Sequence, residues 1–274
     1  MTTIRWRTGR RSKTLGWLAG CLIPLGVHAA LVTDNFNTAT FSGGVIYSTL
    51  TYGPAIASNT HTLSLGALAG SPAMVIGGGT GSIYVKASLP STVSLDNVGD
   101  FIQMDFQFST TGSTGGNRCL RYGFFQSGTT DDEALGFFLA GQNAGSGNSV
   151  LMADTSTTEN PFYTSAGSGG TGGSITAGTV YDAWFRIERT SATELTLSGN
   201  HGGTSLSTTH TIGPSSATSF DEVWFGIQNR TTTFRIDNLV VTIPEPGATA
   251  FLAVGFGSAF LIRRLRRAAA RVAR

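Results

Sequence analysis

Phe101-Ile102-Gln103-Met104-Asp105-Phe106-Gln107-Phe108 alternates apolar and polar side chains from Ile102 onward. Ile102, Met104, Phe106 and Phe108 share one side; Gln103, Asp105 and Gln107 share the other. Successive side chains of a β-strand point to opposite faces, so this stretch predicts a strand with one face in a core and one in water. Further strand-like runs lie on both sides of it, at 45–52, 61–65, 83–89, 120–126, 135–140, 149–153, 183–189, 194–198, 223–228 and 232–242. Turn-forming clusters separate them at 77–79, 111–117, 141–148, 166–174 and 199–203. The middle of the chain carries no helical period. Many short strands without helices predict an all-β fold of two packed antiparallel sheets, a sandwich. The Gly/Ser/Thr tract 164–179 reads as a long surface loop within one domain.

Charge is segregated along the 274 residues. Five basic residues lie in 1–13 and six in 263–274. The span 30–246 holds the other seven and all 16 acidic residues, which leaves it at −9. Phosphate backbones need clustered Lys and Arg, so nucleic acid is not an expected partner. Of the two cysteines, Cys21 lies in the N-terminal apolar run and Cys119 in the middle. One cysteine forms neither an internal disulfide nor a thiolate zinc site, so Cys119 reads as a small buried hydrophobe.

The two ends read as addresses. Residues 1–29 have a basic start, an apolar stretch at 15–27 and small residues at Val27 and Ala29, which predicts a secretory signal peptide cut before Ala30. The Sec translocon and signal peptidase are the expected partners there. Leu18-Ala19-Gly20-Cys21 also fits a lipobox, and Arg10-Arg11 a twin-arginine pair; both are alternative export routes. At the other end, Pro244-Glu245-Pro246 closes the last strand-like run, because two prolines cannot continue a sheet. The 16 residues 247–262 carry no charge. As a helix they would span about 24 Å, short for a hydrocarbon core of roughly 30 Å. Arg263, Arg264, Arg266 and Arg267 open a basic tail, 263–274, that is expected on the cytoplasmic side of a membrane.

That order of tripeptide, short apolar helix and arginine cluster resembles the PEP-CTERM sorting domain of Gram-negative bacteria. The resemblance covers about 30 residues. It implies recognition by an exosortase, a transient membrane anchor, and removal or replacement of the tail. It also implies a place at the cell-envelope surface or in the extracellular matrix, in a bacterium that makes extracellular polysaccharide. The expected domains are therefore 1–29, a sandwich at 30–243, and a sorting signal at 244–274.

Tyr181-Asp182-Ala183-Trp184-Phe185-Arg186-Ile187-Glu188-Arg189, followed by Glu194-Leu195-Thr196-Leu197, resembles the paired strands of concanavalin- and laminin-G-like jelly rolls. Phe234-Arg235-Ile236-Asp237-Asn238-Leu239 is similar to the closing strand of PEP-CTERM ectodomains, and Asp34-Asn35-Phe36 to their opening strand. Such jelly rolls often tie first and last strands with Ca²⁺. Asp34, Asp237 and Asn238 would offer the hard oxygens it needs if those strands are neighbours. The other reading is that Asp237 and Asn238 only satisfy nearby backbone. No other cofactor is expected.

Catalytic signatures are absent: there is no H-E-x-x-H, G-x-S-x-G or P-loop. The acidic clusters at 131–133 and 221–222 read as solvated loop charge, and His61, His201 and His210 as surface or structural residues. Gly77–Gly81 precedes a strand, not the helix a phosphate site needs. The expectation is a non-enzymatic protein, with a glycan hydrolase the least favoured reading. Sugar binding needs aromatic platforms beside planar polar groups. Phe162, Tyr163 and Trp224 are the candidate glycan contacts, with Tyr47 and Tyr52 weaker; Trp184 and Trp224 both lie in strand patterns that favour burial. A surface protein that contacts extracellular polysaccharide, or a carbohydrate-binding module with a defined site, are the two functions left.

Overall fold

The computed structural model describes residues 28–36, 40–41, 45–46, 51–56, 62–77, 82–111, 120–128, 134–141, 148–154, 169–171, 175–214, 216–228 and 232–244. Strands account for most of them, and there is no helix among the described residues. In chain order the first six are β1 (His28–Asp34), β2 (Thr40–Phe41), β3 (Val45–Ile46), β4 (Thr51–Ile56), β5 (Thr62–Leu68) and β6 (Ser71–Gly77). Then come β7 (Ser82–Ser94), β8 (Phe101–Thr110), β9 (Arg121–Ser127), β10 (Ala134–Gly141), β11 (Asn148–Asp154) and β12 (Gly169–Thr171). The last five are β13 (Tyr181–Ser191), β14 (Glu194–His201), β15 (Thr204–Thr211), β16 (Ser219–Gln228) and β17 (Phe234–Pro244).

Among the described residues these strands form two antiparallel sheets. The first runs β15-β14-β13-β8-β17-β6-β5, and β1 joins it by pairing with β17. The second runs β12-β11-β10-β9-β16-β7-β4-β3-β2. The expected antiparallel two-sheet sandwich of jelly-roll type is thus the fold. Val27–Pro246 form one compact unit. β1 begins two residues before Ala30, and β17 ends on Pro244.

The alternation that predicted β8 sets the core. Ile102, Met104, Phe106 and Phe108 are all buried between the sheets. Ala183, Phe185 and Ile187 continue that layer on β13. Val223, Phe225 and Ile227 of β16 face them from the second sheet, with Tyr122 and Phe124 of β9. Phe106 stands edge-on to Tyr122, ring centroids 4.7 Å apart, and to Phe225 at 5.2 Å, the geometry that favours aromatic pairs.

β17 is hydrogen-bonded along both flanks. β8 lies on one side. On the other, Phe234–Ile236 pair with β6, and Leu239–Pro244 pair with β1. The changeover coincides with a register shift between Asp237 and Val240, where Asn238 has φ +54°. Such a bulge adds a residue and re-aims the strand. The hairpin expected after Glu188-Arg189 is present as β13–β14. Arg189 pins its turn by donating Nη1 to the Leu95 carbonyl at 2.8 Å and Nη2 to that of Ala192 at 2.9 Å.

Candidate functional site

The outer face of the first sheet carries the residues that alternate with the core layer. On β13 these are Asp182, Trp184, Arg186 and Glu188; on β8, Gln103, Asp105 and Gln107. Register places Trp184 directly opposite Asp105 on one flank and Asn200 on the other. Arg186 lies opposite Gln103 and Ser198, and Asp182 opposite Gln107. Trp184 is partly exposed. One indole therefore sits in a bed of amides and carboxylates on a face turned away from the core.

The bed is held in place by its own hydrogen bonds. Gln103 Nε2 donates to both oxygens of Asp105, at 3.1 and 2.9 Å. Asn238 Nδ2 donates to Gln107 Oε1 at 3.0 Å, and Gln107 Nε2 to Asp182 Oδ1 at 2.9 Å. Arg186 lies over the Phe101 ring, 3.7 Å from its centroid, and pairs with Glu188 at 2.9 Å. Burial pushes the Asp105 carboxyl up, and the Gln103 amide pulls it partly back. Asp105 and Asp182 are diagonal neighbours, roughly 7–8 Å apart. That is a spacing a glycosidase could use, but here each carboxylate serves as acceptor to a glutamine amide. What the face offers most directly is a partly exposed indole beside amides and carboxylates held by hydrogen bonds.

The chain matches no protein-family model and no curated protein. It is similar in fold to solved carbohydrate-handling domains. One is the basic winged bean lectin with Tn-antigen, 11% identical, TM-score 0.47, covering 81% of this chain and 100% of the lectin. A second is the carbohydrate recognition domain of Emp46p in its metal-free form, 11% identical, TM-score 0.47, covering 67% of this chain and 87% of that domain. A third is a conserved carbohydrate esterase of Shiga toxin-encoding bacteriophage phi24B, 12% identical, TM-score 0.46, covering 80% of this chain and 100% of the esterase. At this level the likeness is one of chain path and says nothing of what this chain binds.

Trp224, expected as a glycan contact, is fully buried. It also faces away from the inter-sheet core, but its neighbours are large. Phe125 packs 5.0 Å away, and the indole Nε1 donates to Glu222 Oε2 at 2.8 Å. Glu222 in turn pairs with Lys86 at 3.2 Å. Asp221 and Glu222 are therefore not solvated loop charge. Both belong to β16; Glu222 is buried, and Asp221 accepts from the backbone N–H and hydroxyl of Ser127 at 2.7 and 2.6 Å.

Asp34 and the Asp237-Asn238 pair do come to neighbouring strands, with Asp34 opposite Leu239. One carboxylate oxygen of each aspartate serves local backbone. Asp34 Oδ1 accepts from Phe36 N–H at 3.0 Å, and Asp237 Oδ1 from Asn238 N–H at 2.7 Å. Burial holds the Asp237 carboxyl above its usual range, against the pull of that N–H. Among the described residues no three His, Cys, Asp or Glu gather to hold a metal.

Phe162, Tyr163, Tyr47, His61, Cys119 and residues 131–133 lie outside the described residues, as does the side chain of Tyr52. So do residues 1–27, Glu245, Pro246, the apolar span 247–262 and Arg263, Arg264, Arg266 and Arg267. Trp184 is the site residue that the strand pattern had assigned to the core. Its parity with Asp182, Arg186 and Glu188 was the signal that it faces outward.

Proposed function

We propose that this is an exported surface protein, handled at Pro244-Glu245-Pro246 by an exosortase, whose sandwich binds extracellular polysaccharide at the face around Trp184 without turning it over. The observation that carries the binding half is the setting of Trp184. A partly exposed indole offers its ring to the C–H face of a pyranose, as exposed aromatics generally serve flat apolar surfaces. Asp105 and Asn200 beside it, with Gln103 and Gln107 diagonal to it, suit hydroxyls that are both donors and acceptors. Hydrogen bonds hold them before a ligand arrives, Gln103 to Asp105, Gln107 to Asp182 and Asn238, and the Gly203 N–H to Asn200 Oδ1, which lowers the ordering cost of binding.

The sorting half is supported by the order of segments in 244–274 and by the end of β17 on Pro244. The motif then begins where the last strand stops. Such a protein would work at the envelope surface or in the matrix, after transient anchoring in the membrane.

A polysaccharide panel with wild type and Trp184→Ala tests the binding. Wild type is expected to bind at least one polymer, and the variant to lose at least tenfold in affinity while its melting temperature moves by only a few degrees. Equal binding by both would remove Trp184 from the site. Release of reducing ends by the purified protein would overturn the non-catalytic half. Mass spectrometry of the protein from its native host tests the processing: termini near Ala30 and near Pro246 are expected, and an intact Arg274 would refute sorting.

A further inference from the structure

Resting on the binding site proposed above, we infer that its ligand is an uncharged, hydroxyl-rich polysaccharide, and that Asp105 and Asp182 act as a filter against polyanions. Asp105 stands across from Trp184, and Asp182 two positions before it on the same strand face. A sugar ring stacked on the indole would lie within a few ångströms of both. Among the described residues the cation nearest by register, Arg186, is already engaged by Glu188 at 2.9 Å and lies against Phe101. It is therefore poorly placed to accept the bidentate pairing that a uronate or sulfate would seek. The other polar groups beside the indole are neutral, the amides of Gln103, Gln107 and Asn200 and the hydroxyl of Ser198. The wider domain repels in the same sense, since 30–246 carries −9. Like charges brought together at a binding face cost affinity and slow encounter.

Affinity electrophoresis of the full chain through gels holding dissolved polymers tests this. The neutral set is dextran, galactomannan and hydroxyethylcellulose; the anionic set is alginate and polygalacturonate. Wild type should be retarded by at least one neutral polymer and by neither anionic one. D105N/D182N should gain at least tenfold in affinity for an anionic polymer at low salt, and the gain should shrink as salt screens it. Trp184→Ala should lose the neutral retardation. Trp184-dependent retardation of wild type by alginate, as strong as by any neutral polymer, would overturn the ligand class while leaving the binding face intact. Neutral binding with no gain in D105N/D182N would overturn the filter. No retardation by any polymer, or the same retardation in Trp184→Ala, would instead sink the binding reading beneath both.

Discussion

His201 shows what a single buried side chain can do to this domain. It ends β14 inside the core, 1% exposed, with its ring stacked 4.8 Å from that of Phe108 and 5.8 Å from that of Tyr122. Tyr122 Oη lies 3.3 Å from His201 Nδ1 and donates to the Asn200 carbonyl at 2.9 Å. Burial lowers the imidazole pKa from 6.5 to about 3. Between these values the unfolded chain takes up a proton that the folded chain refuses. Stability from this residue is therefore full above pH 6.5, falls as pH drops through that window, and is gone below about 3. The slope is at most about 1.4 kcal/mol per pH unit. Asp105 and Asp237, raised by burial, act in the opposite sense. Urea denaturation at several pH values should thus show a shallower acid loss in His201→Phe than in wild type. Parallel curves would show that His201 does not carry the effect. Sequence placed His201 only as surface or structural; its depth comes from Phe108 and Tyr122, which belong to two different sheets.

The strands were legible where period two was clean and illegible where chemistry hid it. β8, β13 and β16 carry large apolar side chains on alternate positions, and all three fall where expected. β15 is almost wholly Ser and Thr, so no apolar face marks it. β6 contains Pro72 and ends on Gly77, two residues that usually mark breaks. β12 lies in the glycine tract read as loop, and pairs with β11 from Asn148 to Val150. Glycine inside strands has a definite use in the second sheet. A Cβ on Gly123 would meet the Phe137 carbonyl oxygen at 2.1 Å and the Phe138 Cα at 2.7 Å. β9 and β10 approach so closely there that backbone, not a movable side chain, fills the space. Gly123→Ala should cost at the upper end of about 1–3 kcal/mol. Gly213→Ala, whose Cβ would find only Ser216 Oγ at 3.8 Å, should change stability by a few tenths. Thermal unfolding of the two variants separates them, and equal melting points would refute the close approach. The two tryptophans teach the same lesson from the site. Both were read as buried, yet their parity in β13 and β16 lies on the outer faces; Phe125 beside Trp224 and Asp105 beside Trp184 decide which one meets solvent, and those neighbours come from other strands.

At the scale of the whole domain, the first and last strands close the first sheet together. His28 pairs with Pro244, and Asp34 with Leu239. A cut before Ala30 would leave most of that pairing, whereas a start at Asn35 would remove it along with buried Val32 and Asp34. Chains beginning at Ala30 and at His28 should melt within about 3 °C of each other. A chain beginning at Asn35 should lose about 3 kcal/mol or more from Val32 and the lost ladder, a drop of roughly 6–12 °C. A smaller drop would mean that β1 is dispensable. The pairing also has a mechanical side. If a polymer is gripped at Trp184 as proposed, tension drawn through Pro244 would load β17 lengthwise, so the ladders on both its flanks would have to slip at once. Tension between His28 and Pro244 meets the same β1–β17 ladder at its end and opens it one rung at a time. The domain is built to be stiff when towed by its last strand and soft when its two ends are drawn apart.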